Sequence, residues 1–216
     1  MLKGLFGGSK KKEPGFSEEE FERDYESKKL GMEKILGPMY PLVGHAVLPF
    51  QLGGPVDMYY FAETCEGTCM ATMELLEPDG TGPKPSRIGT YELVAFTKHK
   101  VSYEPNNPKF DEIVMRMRVI FTNLARYAVD DKFNPLETVE LPGSKGDPGY
   151  CVILDEYKKP GTDFLVSGRK HGLLLVIIVH RSEMIAAMKN GSVTVLDKLK
   201  DKGYYPYSDL DREPVA

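Results

Sequence analysis

Cysteines and histidines are the residues of this chain best suited to hold a metal or to act as nucleophiles. Cys65 and Cys69 are four positions apart, a step that places both on one face of a strand. A structural zinc site takes four ligands, and neither Cys151 nor any of the four dispersed histidines shows the paired spacing typical of such sites. We therefore expect three buried, inert thiols and no metal.

Acidic and glycine-rich segments could also carry chemistry. The pair Asp130-Asp131 closes a helical pattern and is typical of a solvated helix end, so it does not indicate a cation site. The segment Asp79-Gly80-Thr81-Gly82 lacks the lysine and the helix that follow in a phosphate-binding loop, which favours a turn. None of the common hydrolase, nucleotide-binding or zinc-protease motifs occurs.

The sequence thus supports no particular reaction. We expect a protein that is not an enzyme and that takes no cofactor. The alternative is a hydrolase or metal-dependent enzyme whose site is assembled from distant residues, because catalytic groups often converge only in the folded chain.

Charge is unevenly distributed along the chain. Its 28 Lys and Arg and 32 Asp and Glu give a net charge of −4, and four of the lysines fall in residues 1–12 without any acid. The remaining chain therefore has 24 basic and 32 acidic residues, a net charge of −8. An acidic body argues against nucleic acid as a partner.

Cysteine count and hydropathy bear on location. Three cysteines, an odd and low number, indicate a reducing compartment, so we expect a cytoplasmic protein. The longest apolar run, residues 173–179, fits a buried strand and is too short for a transmembrane helix, which takes about 20 residues.

The chain divides into a short tail and one domain. Residues 1–15 mix Gly, Lys, Ser and Pro, which predicts a flexible basic tail, and residues 16–216 are expected to form a single domain. The alternative function for the tail is contact with an anionic membrane, which would make the protein a membrane-surface scaffold.

Two long helices are predicted. Ser17 and Glu20 form a capping box, with Phe16 and Phe21 as a hydrophobic staple, and residues 37–38 (Gly-Pro) end that helix. We expect its apolar face to comprise Phe21, Tyr25, Met32, Ile35 and Leu36, with Gly31 as a local weakness. The second helix begins at Asn107 and Pro108, and its apolar positions are Phe110, Ile113, Val114, Met117, Phe121, Leu124 and Ala128.

Strands are predicted at residues 56–62, 68–76, 89–98, 150–154 and 173–179, from their β-branched and aromatic residues. Residues 39–56 are expected to be loop with one extended piece at 46–50. Ser182 and Ser192 are the expected N-caps of two C-terminal helices. Together these elements predict an α/β domain of the α+β type, with a mixed central sheet flanked by helices.

Several segments, taken in order, resemble the bacterial branch of the suppressor-of-fused-like (SUFU) domain family. They lie within residues 37–215: the strands PVDMYYF (55–61) and YELV (91–94), the helix end NLARY (123–127) with FNP (133–135) and LPG (141–143), and the C-terminal block HRSEM (180–184), KNG (189–191) and DREPV (211–215). The resemblance implies a mixed sheet with helices on its faces and a non-enzymatic role in binding proteins, including roles as immunity proteins.

We accordingly expect a protein-binding module, in its most specific form an immunity protein that neutralises a toxin domain. The expected partner-binding residues stand close together on a segment without core periodicity: Tyr205, Tyr207, Asp209, Asp211 and Arg212. The alternative is that this segment is a strap packed over the sheet, because tyrosines with bonded hydroxyl groups also serve that purpose.

Overall fold

The computed structural model describes residues 17–101, 107–143, 148–162 and 164–216. The elements, in chain order, are α1 (Glu18–Leu36), β1 (Met39–Gly44), a 3-10 turn (Phe50–Leu52), β2 (Met58–Phe61), β3 (Thr68–Ala71), β4 (Thr90–Thr97), α2 (Pro108–Asp130), β5 (Thr138–Leu141), β6 (Tyr150–Tyr157), β7 (Leu165–Val166), β8 (Arg169–Val179), α3 (Arg181–Asn190) and α4 (Ser192–Asp201). Residues 1–15 and Phe16, where a tail and one half of a hydrophobic staple were predicted, lie outside the described residues.

Seven strands form the central sheet in the order β1-β2-β3-β4-β8-β6-β5, and β7 forms a short hairpin with β8. The pairing of β4 with β8 is parallel, whereas every other pairing in this sheet is antiparallel. The predicted α+β fold with a mixed central sheet is confirmed.

Each face of the sheet has its own core. The face covered by α2 buries all the apolar positions predicted for that helix, together with alternate residues of the strands such as Leu174, Val176 and Ile178. The other face, which includes Leu175 and Ile177, packs against α1, α3 and α4. β8 is covered on both sides, which explains why its sequence lacks the alternation of a half-exposed strand.

Helix α1 begins as predicted: the Ser17 Oγ accepts from the Glu20 N, and the Glu20 carboxylate accepts from the Ser17 N. Its predicted apolar face is partly wrong, because Phe21 is exposed whereas Asp24 and Lys28 are buried. The buried charges pair with each other and with Glu92 of β4, so the helix packs partly through ions.

Residues 39–56 were predicted as loop with an extended piece at 46–50, and this prediction is wrong. A strand, β1, occupies Met39–Gly44 and pairs with β2. Its Pro41 obscured the pattern, yet proline is tolerated on an edge strand because one side of that strand needs no hydrogen bonds. The opposite edge strand, β5, is only four residues long and was not predicted.

The caps of the C-terminal helices also differ from prediction. Helix α3 begins one residue before Ser182, and the His180 N at its N-cap donates to the Glu183 Oε2 at 2.8 Å. Ser192 is the first residue of α4 rather than its cap, and its Oγ donates to the Leu136 O at 2.7 Å. No helix in the described ranges is both long and apolar enough to span a membrane.

Candidate functional site

The C-terminal segment, defined here as residues 204–215, lies across the end of β4 and the start of α3. Its backbone forms a parallel bridge between Tyr207 and Phe96, and the Ser208 N donates to the Phe96 O at 2.8 Å. The buried Ser208 Oγ also donates to the Val176 O of β8 at 2.9 Å. The segment is therefore fixed to the two central strands by its backbone and by one buried hydroxyl group.

Asp209 closes the end of β4. Its carboxylate accepts a hydrogen bond from the Thr97 Oγ1 at 2.6 Å and a second from the Lys98 N at 2.8 Å. Without this carboxylate, both donors would lack a hydrogen-bond partner at the end of the strand. Asp209 therefore satisfies them and orients the chain that follows.

Arg212 is turned inward. Its Nη1 and Nη2 donate to the Glu183 Oε1 and Oε2 at 2.6 and 2.8 Å, with side-chain exposures of 6% and 0% for the arginine and the glutamate. Burial raises the pKa of Glu183, but hydrogen bonds from Arg212, Val215 and His180 outweigh burial and hold that pKa below its usual value. The pair thus stays ionised and anchors the segment to α3.

The two tyrosines occupy different surroundings. The Tyr205 hydroxyl donates to the Asp155 Oδ2 at 3.1 Å, and burial raises the pKa of this phenol. The Tyr207 ring lies 5.2 Å from the Lys98 Nζ, within the range of a cation–π contact. Tyr205 is thereby directed to β6, whereas Tyr207 faces the end of β4.

Asp211 is the predicted site residue that remains exposed, and its carboxylate forms no hydrogen bond or ion pair with any described residue. It stands between two hollows. One, of about 290 Å³, is lined by Lys98, Tyr204, Tyr207, Asp209, Asp211 and Arg212. The other, of about 280 Å³, is lined by Lys109, Ile113, Arg116, Asp209, Leu210 and Asp211.

The structure thus brings four of the five predicted binding residues to one hollow and places Tyr205 elsewhere. Sequence reasoning missed Glu183 and the cations Lys98, Lys109 and Arg116. Only Glu183 left a signal, because a glutamate three residues after the His180 N-cap is half of a capping box. The three cations reach the site from the end of β4 and from α2, and no local pattern predicts that these elements lie beside the C-terminus.

The thiols offer little nucleophilic character. Cys69 and Cys151 are buried as predicted, but the prediction is wrong for Cys65, which is only half-buried because it lies in the turn before β3 rather than on its face. Burial, with the Asp209 carboxylate as a smaller cause, raises the pKa of Cys65 to about 11, so its thiolate is scarce at neutral pH. Within the described ranges, no three His, Cys, Asp or Glu side chains are grouped so as to hold a metal ion.

Comparison with solved structures finds chains of similar fold. A chain from the Sufu-Fu complex crystal structure superposes with a TM-score of 0.59 at 14% sequence identity, over 89% of this chain and 91% of that chain. This chain shares its fold. No protein-family model matches the sequence, and no curated protein has a matching sequence.

Proposed function

We propose that this protein is a non-enzymatic protein-binding module whose contact surface is the Asp211 surface, defined as the two hollows on either side of Asp211. The observation that carries the proposal is an exposed carboxylate, without a partner among the described residues, beside aromatic and cationic side chains on a segment that is otherwise firmly anchored. A rigid surface of this kind loses little conformational entropy on binding.

The fold supports the proposal. The similar chain was crystallised as part of the Sufu-Fu complex, so the same arrangement of strands and helices occurs in a protein assembly in that case. We propose that this chain, like that one, binds a protein, and that it belongs to the bacterial branch of the family. The C-terminal strap and the binding surface are compatible roles, because Arg212 and Asp209 hold the segment while the Asp211 side chain is exposed.

The more specific form of the proposal is an immunity protein that neutralises a basic toxin domain in the cytoplasm. The net charge of −8 beyond residue 12 would attract such a partner, and long-range attraction raises association rates. Three free thiols fit a reducing compartment. Association with a basic partner should then slow as the salt concentration rises.

The test is affinity capture of partners from the native cell by the full chain, at near-physiological salt, with the variant Asp211→Lys in parallel. The matched control is Glu22→Lys, which makes the same charge reversal at an exposed position of α1. We expect a protein that the wild type and Glu22→Lys recover and Asp211→Lys loses. Equal recovery by all three chains would place the contact surface elsewhere, and repeated recovery of no specific protein would remove the proposal's main support.

A further inference from the structure

A third cavity, here called the His171 cavity, lies where β6 ends and β8 begins. Its volume is about 330 Å³, and its wall combines apolar side chains, Ile35, Phe164 and Leu173, with the imidazole of His171. Glu156 and Lys158, which also line the cavity, form an ion pair with each other at 2.9 Å. The cavity shares no lining residue with the Asp211 surface, so the inference is independent of the proposed function.

Hydrogen bonding fixes the tautomer of His171. The Thr90 hydroxyl lies 2.9 Å from the His171 Nδ1 and 3.2 Å from the carbonyl oxygen of Lys170. A hydroxyl group has one hydrogen and a carbonyl can only accept, so both bonds form only when Thr90 donates to Lys170 and accepts from the Nδ1–H. A neutral ring with its proton on Nδ1 leaves a lone pair on Nε2.

That lone pair has no partner. The ring is 3% exposed, and its Nε2 is buried without a hydrogen bond to any described residue. Burial lowers the pKa of His171 to about 3, and the nearby Lys28 ammonium lowers it further. A buried acceptor without a donor costs free energy, which a ligand that supplies the donor would recover.

The surroundings restrict the chemistry of such a ligand. The Lys28 ammonium is held beneath α1 by Asp24 and Glu92 at 3.2 and 3.7 Å, and its charge opposes a second cation beside His171. An anion would place a second hydrogen-bond acceptor against the His171 Nε2, which is itself an acceptor. The donor is therefore a neutral O–H or N–H group.

The side chains that line the cavity restrict the part of the ligand that carries this donor group. The Phe164 ring meets the imidazole edge to face, with centroids 4.8 Å apart. Ile35 and Leu173 extend this apolar part of the wall, whereas Thr162, Lys170 and the Glu156–Lys158 pair form its polar part. We propose that the His171 cavity binds a small neutral aromatic molecule whose hydroxyl group donates a hydrogen bond to the His171 Nε2. The aromatic body packs against the apolar side chains of the wall, and the hydroxyl supplies the donor that the His171 Nε2 lacks among the described residues.

The experiment compares phenol with toluene, which has the same shape but no donor. The full chain, labelled with ¹⁵N at histidine, is titrated with each compound while the ¹⁵N resonances of the imidazoles are recorded. We expect phenol to shift the Nε2 resonance of His171, to bind about tenfold more tightly than toluene, and to leave the exposed His45 unchanged. His171→Phe should remove the preference for phenol.

Two outcomes overturn the proposal: phenol leaves the His171 resonances in place, or both compounds bind equally well. The decisive measurement uses the wild-type chain, so it stands even if His171→Phe fails to fold. In that event the resonance of His171 is identified by elimination, from the conservative variants His45→Gln, His99→Gln and His180→Gln.

Discussion

Arg212 and Glu183 form a buried, two-pronged ion pair that joins the C-terminal segment to the first turn of α3. Arg181 and Glu140 form a pair of the same length, 2.6 Å, but their side chains are 55% and 49% exposed. The two arginines lie 31 positions apart, and the Arg212 pair is buried and two-pronged, whereas the Arg181 pair is exposed and has one hydrogen bond. Removing each arginine in turn therefore compares the contribution of the buried pair to the free energy of unfolding with that of the exposed pair.

We predict that Arg212→Met lowers the free energy of unfolding by about 3 kcal/mol, because it leaves the Glu183 carboxylate buried without its counter-ion. Arg181→Met, the matched control, should change the free energy of unfolding far less, because solvent screens an exposed ion pair. Urea denaturation of both variants measures the difference. If both variants lost the same free energy of unfolding, the buried Arg212 pair would stabilise the fold no more than the exposed Arg181 pair.

Gly31 illustrates a requirement that helix propensity alone misjudges. A Cβ at this position would lie 2.0 Å from the Phe164 Cε2, so the glycine admits the aromatic ring against α1. In an exposed helix, Gly→Ala stabilises by about 1 kcal/mol. We predict that Gly31→Ala instead destabilises this protein, because the ring must move.

The proof of that cause is a double-mutant cycle with Phe164→Leu, measured by urea denaturation. In the Phe164→Leu background the smaller side chain makes room, so Gly31→Ala should become neutral or stabilising. If Gly31→Ala had the same effect in both backgrounds, contact with Phe164 would not be the reason for the glycine.

Glu74 gives the fold a pH dependence near neutrality. Burial, partly offset by a hydrogen bond from the Asp57 N, raises its pKa from 4.5 to about 7. Because the folded state favours the protonated acid, this contribution to stability is complete below pH 4.5 and is lost as the pH rises through about 7.

We therefore predict that Glu74→Gln, which mimics the protonated acid, matches the wild type near pH 4.5 and is more stable at pH 8 by about 1 kcal/mol. A pKa unit is worth about 1.4 kcal/mol, and solvent screening reduces the effect because Glu74 is only partly buried. Thermal melts across this pH range give the measurement, with exposed Glu22→Gln as the control. A constant difference between Glu74→Gln and wild type at all pH values would contradict the assignment.

How far sequence predicts this molecule depends on the kind of interaction. All seven apolar positions predicted for helix α2 are buried, since Asn107, Pro108 and the apolar spacing are local signals, although Ile120, Thr122 and Ala125 are buried too and were not predicted. The burial of Lys28 was not predicted, because its partner Glu92 is 64 positions away. In the sequence alone, both charged residues fit positions that face the solvent. At the Asp211 surface, the C-terminal residues were predicted to act together, but the inward turn of Arg212 depends on Glu183, a long-range contact that no local pattern encodes.

The position of β8 in the sheet has a consequence for how the chain is made. β8 is the last strand in sequence, yet it lies between β4 and β6. It therefore joins strands β1 to β4 on one side to strands β5 and β6 on the other. A chain emerging from a ribosome therefore holds two incomplete half-sheets until residue 179 is available, with the long edges of β4 and β6 unpaired. During synthesis, chaperone protection should matter most just before β8 emerges, and the finished sheet should close in a single late step.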